Sequence, residues 1–374
     1  MMSTPVSPCE SVDLSCLKQY GFSQLQVEGP LGGGMFSQPL LLSTDRGKFL
    51  LRRHTFRSNI ESFRFQAEAT QWAHDRGVSC STVYKTLDGD WGIELPESQC
   101  VLALHRFVEG STLDWSTWHR LKESAPSFLV NLGVVVAQLH NCLSCAEPGG
   151  DPELSSSLPP MQFRFIREIH DHWNKCVEKL SADNQVLCRR SKSSLLSLMP
   201  RIQSHWDHLL SSLVIHLIDE LPLQIVHGDV SAVNIVFDSN NSMAFIDWDC
   251  IHRGSRLYDA LGDILNRYPH QQPELNRFRK THVEAFLKGY SSALDQPLSS
   301  LELDLVPAFC LARQLEDLRQ RLQVIPHLSE EHDETYSLLI GMRVEIMDQI
   351  RNQSREDWGR SLKIVQTESE EIAL

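Results

Sequence analysis

The 374-residue sequence has no hydrophobic run long enough to cross a membrane, since a spanning helix needs about 20 apolar residues. The longest apolar stretches, residues 128–139 and 209–226, are interrupted by polar side chains such as Asn131, Gln138 and Glu220. The N-terminus also lacks a basic patch followed by an apolar core, so no secretory signal is predicted. These absences predict a cytoplasmic protein without a membrane partner.

The sequence also lacks a disulfide framework and an excess of positive charge. Its 10 cysteines are scattered, which suits a reducing cytosol. The isolated pair Cys142-x-x-Cys145 has no second pair or histidine cluster beside it, so we interpret it as two small apolar residues at a helix end. The net charge of -13 argues against a nucleic-acid partner and is compatible with a cationic substrate. The oligomeric state stays open.

What the sequence does contain is a globular composition and one informative motif. Hydrophobic residues make up 41% and charged residues 22% of the chain, as in ordinary soluble proteins. The motif lies in residues 225–249, where an apolar run leads to a polar loop with Asp229 and Asn234. Two further apolar runs flank the turn formers at 239–242 and predict a β-hairpin. Such a hairpin can bring Asp247 close to Asn234 and Asp229.

A group of oxygen-bearing side chains at the end of a small sheet suits magnesium chemistry. Mg²⁺ prefers hard oxygen ligands and takes one or two carboxylates together with phosphate oxygens. We therefore predict that Asn234 and Asp247 hold the metal. Asp229 is then predicted to accept a hydrogen bond from a substrate hydroxyl and to direct that oxygen at a γ-phosphate.

These motifs, residues 227–234 and then Ile246-Asp247-Trp248-Asp249, resemble the signature of the aminoglycoside phosphotransferase and choline kinase-like family. The resemblance implies an α+β, protein-kinase-like bilobal fold, with a small antiparallel-sheet N-lobe carrying one helix and a larger, mainly helical C-lobe. It implies Asp229 as catalytic base, Asn234 and Asp247 as metal ligands, and ATP, or GTP, with Mg²⁺ as cofactors. A Trp-Asp pair stands where protein kinases have Phe-Gly.

The length of the chain exceeds one usual domain and, with the resemblance, predicts its division. Residues 1–22 form a lead with a short helix, and residues 23–107 form the nucleotide-binding N-lobe. Residues 108–352 form the C-lobe, which contains the catalytic loop 225–249 and the substrate helices. Residues 353–374 form a flexible tail.

Backbone groups are expected to meet the nucleotide at two places in the N-lobe. Gly33 and Gly34 lie in a glycine-rich turn between strands, where unhindered N–H groups approach phosphates closely. This loop departs from the spacing of protein kinases, so the resemblance assigns no separate role to each glycine. Residues from Leu104 to Phe107, at the end of a predicted strand, are expected to contact the edge of the adenine.

A cation and its acidic partner are expected from the third strand and the following helix. The resemblance implies that Arg52 contacts the nucleotide phosphates, and a guanidinium suits bidentate phosphate binding. Arg53 is a competitor on the opposite strand face. A helix is predicted over residues 58–76, where the fold places the acid that pairs with the cation. Glu68 is the favoured residue, and Glu61 is the alternative.

Four further residues are interpreted in the predicted C-lobe. Asp259 opens a helix after the hairpin, and we expect it to brace the catalytic loop. His140 is interpreted as a core or capping histidine at the end of a predicted helix. Glu316 and Asp317 could line a pocket for an amine-bearing substrate, but a solvated helix face is the favoured interpretation.

The sequence therefore predicts a kinase of a small-molecule hydroxyl. Members of the resembled family phosphorylate amino alcohols, sugars, amino acids or aminoglycosides, and an amino alcohol or a sugar is favoured here. The alternative is a nucleotide-binding pseudokinase or scaffold without transfer activity, suggested by arginine in place of lysine at residue 52. A third interpretation, a non-catalytic globular α+β protein, predicts no nucleotide binding.

Overall fold

The computed structural model describes residues 14–31, 39–54, 59–95, 100–150, 166–182, 189–211, 216–218, 220–262, 278–324, 330–353 and 358. Within these residues an antiparallel sheet and one helix are followed by a mainly helical part, which confirms the predicted α+β class. We call residues 14–106 the sheet region and residues 111–358 the helical region.

The sheet region contains six strands whose order is β1-β2-β3-β6-β4, with β5 paired to β6. Every pair is antiparallel, and β3 and β6 are aligned so that Arg52 lies opposite Ala103. The strands are β1 (Leu25–Pro30), β2 (Leu40–Thr44), β3 (Gly47–His54), β4 (Val83–Tyr84), β5 (Ile93–Leu95) and β6 (Cys100–Arg106). The central position of β3 places Arg52 in the middle of the sheet.

Strand alternation divides the residues of β3 and β6 between two covered faces. Phe49 and Leu51 point to one face and pack with Tyr20 of the short 3-10 helix Leu14–Tyr20. His54 lies on the other face, where it stacks with Phe63 of helix α1. Arg52 shares that second face because it is two residues from His54.

Helix α1 (Ile60–Asp75) confirms the helix predicted over residues 58–76. It begins at Asn59, whose side chain accepts a hydrogen bond from the N–H of Ser62 at 2.8 Å. This cap satisfies one of the backbone donors that every helix start leaves without a partner. Phe63 and Ala67 of α1 pack onto the sheet.

The helical region contains nine described helices and five short strands around one large apolar core. The strands form the sheets β10-β9-β7 and β11-β8. The strands are β7 (Ser111–Thr112), β8 (Gln224–Val226), β9 (Ile235–Phe237), β10 (Met243–Phe245) and β11 (His252–Gly254); the helices are α2 (Trp115–Ser124), α3 (Pro126–Ser144), α4 (Ile166–Ala182), α5 (Arg189–Leu209), α6 (Arg256–Ala260), α7 (Lys280–Ala293), α8 (Ser300–Asp304), α9 (Val306–Val324) and α10 (Glu330–Asn352).

Helix α3 packs against α7 through a contact between backbones. A Cβ atom added to Gly133 would lie 2.2 Å from the carbonyl oxygen of Phe286, and one added to Gly289 would lie 1.9 Å from that of Val130. Among the described helices, α3 alone is long and apolar enough to cross a membrane, and 44% of that stretch is buried inside the fold. Its close packing on α7 is that of a core helix.

Several predictions from the sequence concern residues outside those that the structure describes. Gly33 and Gly34 are among them, as are residues 1–13 of the predicted lead and almost all of the predicted tail. The proposed boundaries of the two lobes therefore stay predictions.

Candidate active site

The predicted catalytic hairpin is present and brings its polar residues together. Strands β9 and β10 pair with Phe237 opposite Met243, and a 3-10 helix, Ala232–Asn234, precedes β9. The Nδ2 atom of Asn234 donates to Oδ2 of Asp229 at 2.7 Å and to the Asp229 carbonyl at 3.0 Å. The N–H of Ile246 donates to the carbonyl of Asn234 at 2.9 Å, which places Asp247 beside the same loop.

Two unusual backbone conformations give this loop its shape. Gly228 has a φ of 85°, and a Cβ atom there would lie 2.1 Å from the carbonyl oxygen of Cys250. Only glycine fits a left-handed conformation with so close a neighbour. Asp247 also lies in the left-handed region, with a φ of 63°. Aspartate tolerates this region better than most residues, and the turn separates Asp247 from β10.

A buried aspartate supports the catalytic loop from the helical region. Asp259 of α6 accepts hydrogen bonds from the N–H groups of His227 at 2.9 Å and Gly228 at 3.0 Å. The Nε2 atom of His140 donates to the same carboxylate at 3.2 Å, and the Tyr290 hydroxyl lies 2.7 Å from His140 Nδ1. The predicted brace at Asp259 is confirmed, as is the interpretation of His140 as a core histidine. The prediction that Asp259 opens a helix is wrong, because α6 begins at Arg256 and Asp259 is its fourth residue.

The charge of Asp259 is stabilised by these contacts. Burial alone would raise the pKa of this carboxyl group, but the hydrogen bond and the positive field of His140 hold its pKa below the ordinary value. Burial lowers the pKa of His227, whose imidazole is completely enclosed. The loop is therefore held by an ionised carboxylate whose oxygens accept hydrogen bonds from the N–H groups of His227 and Gly228.

Arg52 links the sheet region to the hairpin. Its Nη2 atom lies 2.9 Å from Oδ1 of Asp247 and 3.3 Å from Oδ2 of Asp249. The side chain of Arg52 is 16% exposed, whereas that of Asp247 is 40% exposed. Arg53 points to the opposite face of β3, away from both aspartates. The structure thus places the predicted strand cation next to the predicted metal ligand.

Asp249 is a site residue for which the sequence predicted no role. Its Oδ1 atom accepts hydrogen bonds from His54 Nδ1 at 2.9 Å and from Gln66 Nε2 at 3.1 Å. His54 Nε2 in turn lies 2.9 Å from Nε2 of His105 on β6. One signal was present in the sequence: Asp249 follows Asp247 by two residues, and His54 follows Arg52 by two residues on the same strand face.

Glu68 does not have the partner that the sequence predicted. Its Oε1 atom lies 2.6 Å from Arg64 Nε, and its Oε2 atom accepts a hydrogen bond from the N–H of Gly149 at 2.7 Å. The indole of Trp91 also donates to it at 3.4 Å. The predicted ion pair with Arg52 is therefore wrong, because the rotation of α1 turns Gln66, and not Glu68, towards Asp249.

The two residues expected to contact adenine occupy different positions on β6. Leu104 is fully buried, with β3 on one side and β4 on the other. Phe107 follows the end of the strand, and its N–H donates to the carbonyl of Lys48 at 3.1 Å. Phe107 is the better placed of the two for contact with a base, and this contact stays a prediction.

The solvated face expected at Glu316 and Asp317 is wrong. Glu316 is 3% exposed, and both its carboxylate oxygens bind Arg319, at 2.8 and 2.7 Å. Asp317 pairs with Arg343 of α10 at 2.9 Å. Both carboxylates are committed to ion pairs between and within helices, so they belong to the framework of the helical region.

The residues of the hairpin fit a magnesium ion. Since Nδ2 of Asn234 is used on Asp229, its Oδ1 atom is the one left to coordinate, and the carboxylate of Asp247 is accessible. The described part of the chain contains no group of three or more histidine, cysteine or acidic residues that could hold a metal. A site with one carboxylate and one amide suits Mg²⁺, which takes its remaining ligands from phosphates and water.

The loop of residues 227–234 beside the β9–β10 hairpin, next to Arg52 on an antiparallel sheet, is the arrangement that the resemblance to kinase-like phosphotransferases implied. Comparison with known families agrees, since residues 29–295 match the model of the phosphotransferase enzyme family. The chain belongs to this family. It is therefore a phosphotransferase whose acceptor is a hydroxyl group of a small molecule, and whose donor is a nucleotide.

Individual relatives are distant. The chain is 23% identical over 310 residues to a homoserine kinase of Rhodopseudomonas palustris, an alignment that covers 82% of each protein. It resembles an aminoglycoside phosphotransferase of Alicyclobacillus acidocaldarius with a TM-score of 0.59 at 12% identity, over 90% of this chain and 94% of that one. An amicoumacin kinase, solved with AMP-PNP and Ca²⁺, has a TM-score of 0.57 at 16% identity, over 92% and 96%.

Proposed function

We propose that this protein transfers the γ-phosphoryl group of ATP, with Mg²⁺, to the hydroxyl of a small amino alcohol or amino acid. The observation that carries the proposal is the hydrogen bond from Asn234 to Asp229, because it joins the base and a metal ligand in one loop. Asp259 stabilises that loop through hydrogen bonds to its backbone. The N–H of Ile246 joins the loop to the residue before Asp247, the proposed metal ligand.

Each polar residue of the loop has a separate task in this proposal. Asp229 accepts a hydrogen bond from the acceptor hydroxyl and holds its oxygen in line with the γ-phosphorus. Asn234 keeps that carboxylate in one rotamer through its amide. Asp247 and the Oδ1 atom of Asn234 would hold Mg²⁺, which when bound neutralises charge on the phosphates. Arg52 stabilises the phosphates from the sheet side.

The nucleotide is proposed to lie between the sheet region and the hairpin. Arg52 and Phe107 then mark the phosphate end and the base end of its site. The amicoumacin kinase of similar fold was solved with an ATP analogue, which supports ATP as the donor. The glycine-rich turn with Gly33 and Gly34 remains a proposed phosphate contact.

The acceptor class is proposed from the distant relatives. Two homoserine kinases match more than four-fifths of the chain, and homoserine carries a primary hydroxyl and an amine on a short carbon chain. An acidic protein with a net charge of -13 also suits an acceptor that carries an ammonium group. Homoserine and simple amino alcohols are therefore the first compounds to test.

The test is acceptor-stimulated release of ADP across a panel of amino acids, amino alcohols and sugars, with and without Mg²⁺. The parent protein is expected to turn over at least one acceptor only in the presence of Mg²⁺. Asp229→Asn is expected to lower kcat by about 10²-fold or more while leaving ATP binding unchanged, because it removes only the proton acceptor. Binding of ATP without turnover on any acceptor would support the pseudokinase alternative and contradict the proposal.

A further inference from the structure

We propose that Asp249 is the positioning residue of Arg52, the role that the sequence had predicted for Glu68. The inference rests on the proposed function, in which Arg52 contacts the nucleotide phosphates. Under it, a carboxylate from the helical region, and not one from α1, holds the cation of the sheet in place. The segment after the hairpin, which supplies the proposed metal ligand Asp247, then also orients Arg52, the side chain that contacts the phosphates.

The first argument is the geometry of the guanidinium. Nη2 of Arg52 lies between Oδ1 of Asp247 and Oδ2 of Asp249, at 2.9 and 3.3 Å. The two aspartates differ in exposure, since the side chain of Asp247 is 40% exposed and that of Asp249 is 12% exposed. Asp247 is the proposed metal ligand and faces the solvent. Asp249 is enclosed, so it is the permanent partner of the guanidinium.

The second argument is that Asp249 is itself held rigidly. Its Oδ1 atom accepts one hydrogen bond from His54 of β3 and one from Gln66 of α1. His54 and Gln66 are both almost completely buried, and His54 is fixed in turn by His105 of β6. A carboxylate with donors on two elements of the sheet region has one orientation available. Its second oxygen, Oδ2, is thereby directed at Arg52.

Glu68, the carboxylate that was predicted to pair with Arg52, has other partners in the structure. Glu68 binds Arg64 on its own helix and the N–H of Gly149, and its third neighbour is the Trp91 indole. These contacts tie α1 to the segment that follows α3. Through the N–H of Gly149, Glu68 connects α1 to the helical region. Asp249 contacts the same helix through Gln66.

The experiment measures the dissociation constant of a non-hydrolysable ATP analogue by calorimetry and the KM values of both substrates. Asp249→Asn is expected to weaken analogue binding and to raise the KM of ATP about tenfold, because it removes the charge that orients Arg52. The KM of the acceptor is expected to stay within about twofold of the parent value. A purely structural role would lower the active fraction and leave both KM values unchanged.

The matched control is Asp333→Asn. Asp333 is also a buried carboxylate, but it accepts from backbone N–H groups, those of Arg190 and Ser191 at the start of α5. This variant is expected to lower the melting temperature without changing the affinity for the analogue. If Asp249→Asn behaves as this control does, or if Glu68→Gln alone weakens the analogue, the proposal is overturned.

Two more variants keep the test decisive. Gln66→Leu removes one donor to Asp249 without changing any charge, and it serves if Asp249→Asn does not fold. It is expected to weaken the analogue about two- to threefold, and unchanged binding would overturn the proposal. Combining Gln66→Glu with Asp249→Asn exchanges the amide and the carboxylate across their 3.1 Å contact, and is expected to restore part of the affinity.

The same measurements separate this proposal from the proposed function. If the parent protein binds the analogue but phosphorylates no acceptor, the kinase proposal fails, and a weaker Asp249→Asn complex still supports the positioning role. If the parent transfers phosphate and Asp249→Asn binds the analogue as tightly as the parent, the positioning role fails and the kinase proposal stands. A parent protein that binds no nucleotide overturns both.

Discussion

Two buried aspartates hold the two sides of the active site, and they do so with different kinds of donor. Asp259 receives backbone N–H groups of His227 and Gly228, together with His140. Asp249 receives only side chains in its described contacts, from Arg52, His54 and Gln66. Backbone donors fix a loop whatever its side chains are. Side-chain donors make the position of Arg52 depend on a few specific residues.

The contrast separates the functions of the two sites. The catalytic loop must hold its shape in every step of a transfer, and it rests on main-chain contacts within the helical region. The phosphate-binding cation must stay aligned with a nucleotide across the sheet and the hairpin, and it is held by side chains from both. Mutations at the two aspartates should therefore differ in both the size and the kind of their effect.

The largest effect is expected from Asp259→Ala. The change leaves two buried backbone donors and His140 without their acceptor. Removing one partner of such a buried, charged network lowers the free energy of unfolding by about 3–5 kcal/mol. Urea unfolding should report this loss, and turnover should disappear with it. Asp295→Ala, at an exposed position, is the control and should stay within about 0.5 kcal/mol of the parent. A stable, active Asp259→Ala protein would contradict the brace.

A smaller loss of stability is expected from Arg52→Met. Asp249 keeps its contacts with His54 and Gln66, so the cost should be about 2–3 kcal/mol. The affinity for ATP should fall more than the stability suggests, because the proposed phosphate contact is lost as well. Calorimetry with an ATP analogue and urea unfolding measure the two effects separately. Equal ATP affinity in variant and parent would remove Arg52 from the site.

The pH dependence of stability should show the charge of Asp259. Its pKa is lower in the folded protein than in the unfolded chain, so the stabilisation is fully present above the ordinary value of 3.8 and is lost as the pH falls through the folded pKa. The difference in unfolding free energy between the parent and Asp259→Asn should therefore stay nearly constant from pH 5 to about 3.8 and shrink as the pH is lowered further. A difference that stays constant below pH 3.8 as well would show that Asp259 carries no stabilised charge.

The smallest effect is expected from Glu68→Gln. Its carboxylate is a quarter exposed, and its partner Arg64 is about half exposed, so the ion pair contributes less than about 1 kcal/mol. The glutamine can still accept from the N–H of Gly149. Thermal unfolding should show a small decrease that is reduced further at high salt. A loss as large as that of Arg52→Met would mean that Glu68 has a role beyond this surface pair.

The arrangement of the catalytic loop could be predicted from the sequence better than the surroundings of Arg52. Asp229, Asn234 and Asp247 come from one strand-loop-strand segment, so local turn chemistry suffices to bring them together. The role of Asp259 also followed from its place directly after the hairpin. The contacts of these residues within the loop span at most 32 residues, between His227 and Asp259, and hydrophobic alternation with polar turns determines them.

The partner of Arg52 depended on long-range geometry. Asp249 and Gln66 are 183 residues apart in the chain. The choice between Gln66 and Glu68 depends on the rotation of α1, since two residues in a helix differ by about 200°. The family resemblance placed an acidic partner on this helix, but the packing of Phe63 and Ala67 on the sheet decides which side chain faces inward. Periodicity alone does not set that angle.

The contact between α3 and α7 has a consequence for the catalytic loop. Gly133 and Gly289 let the two backbones touch, and these same helices carry His140 and Tyr290, which lie behind Asp259. A single methyl group at either glycine would wedge the helices apart and shift the histidine under the loop. The smallest possible enlargement of a side chain would thus reach the catalytic loop through His140 and Asp259, and screens for inactivating changes should recover alanine at these two positions.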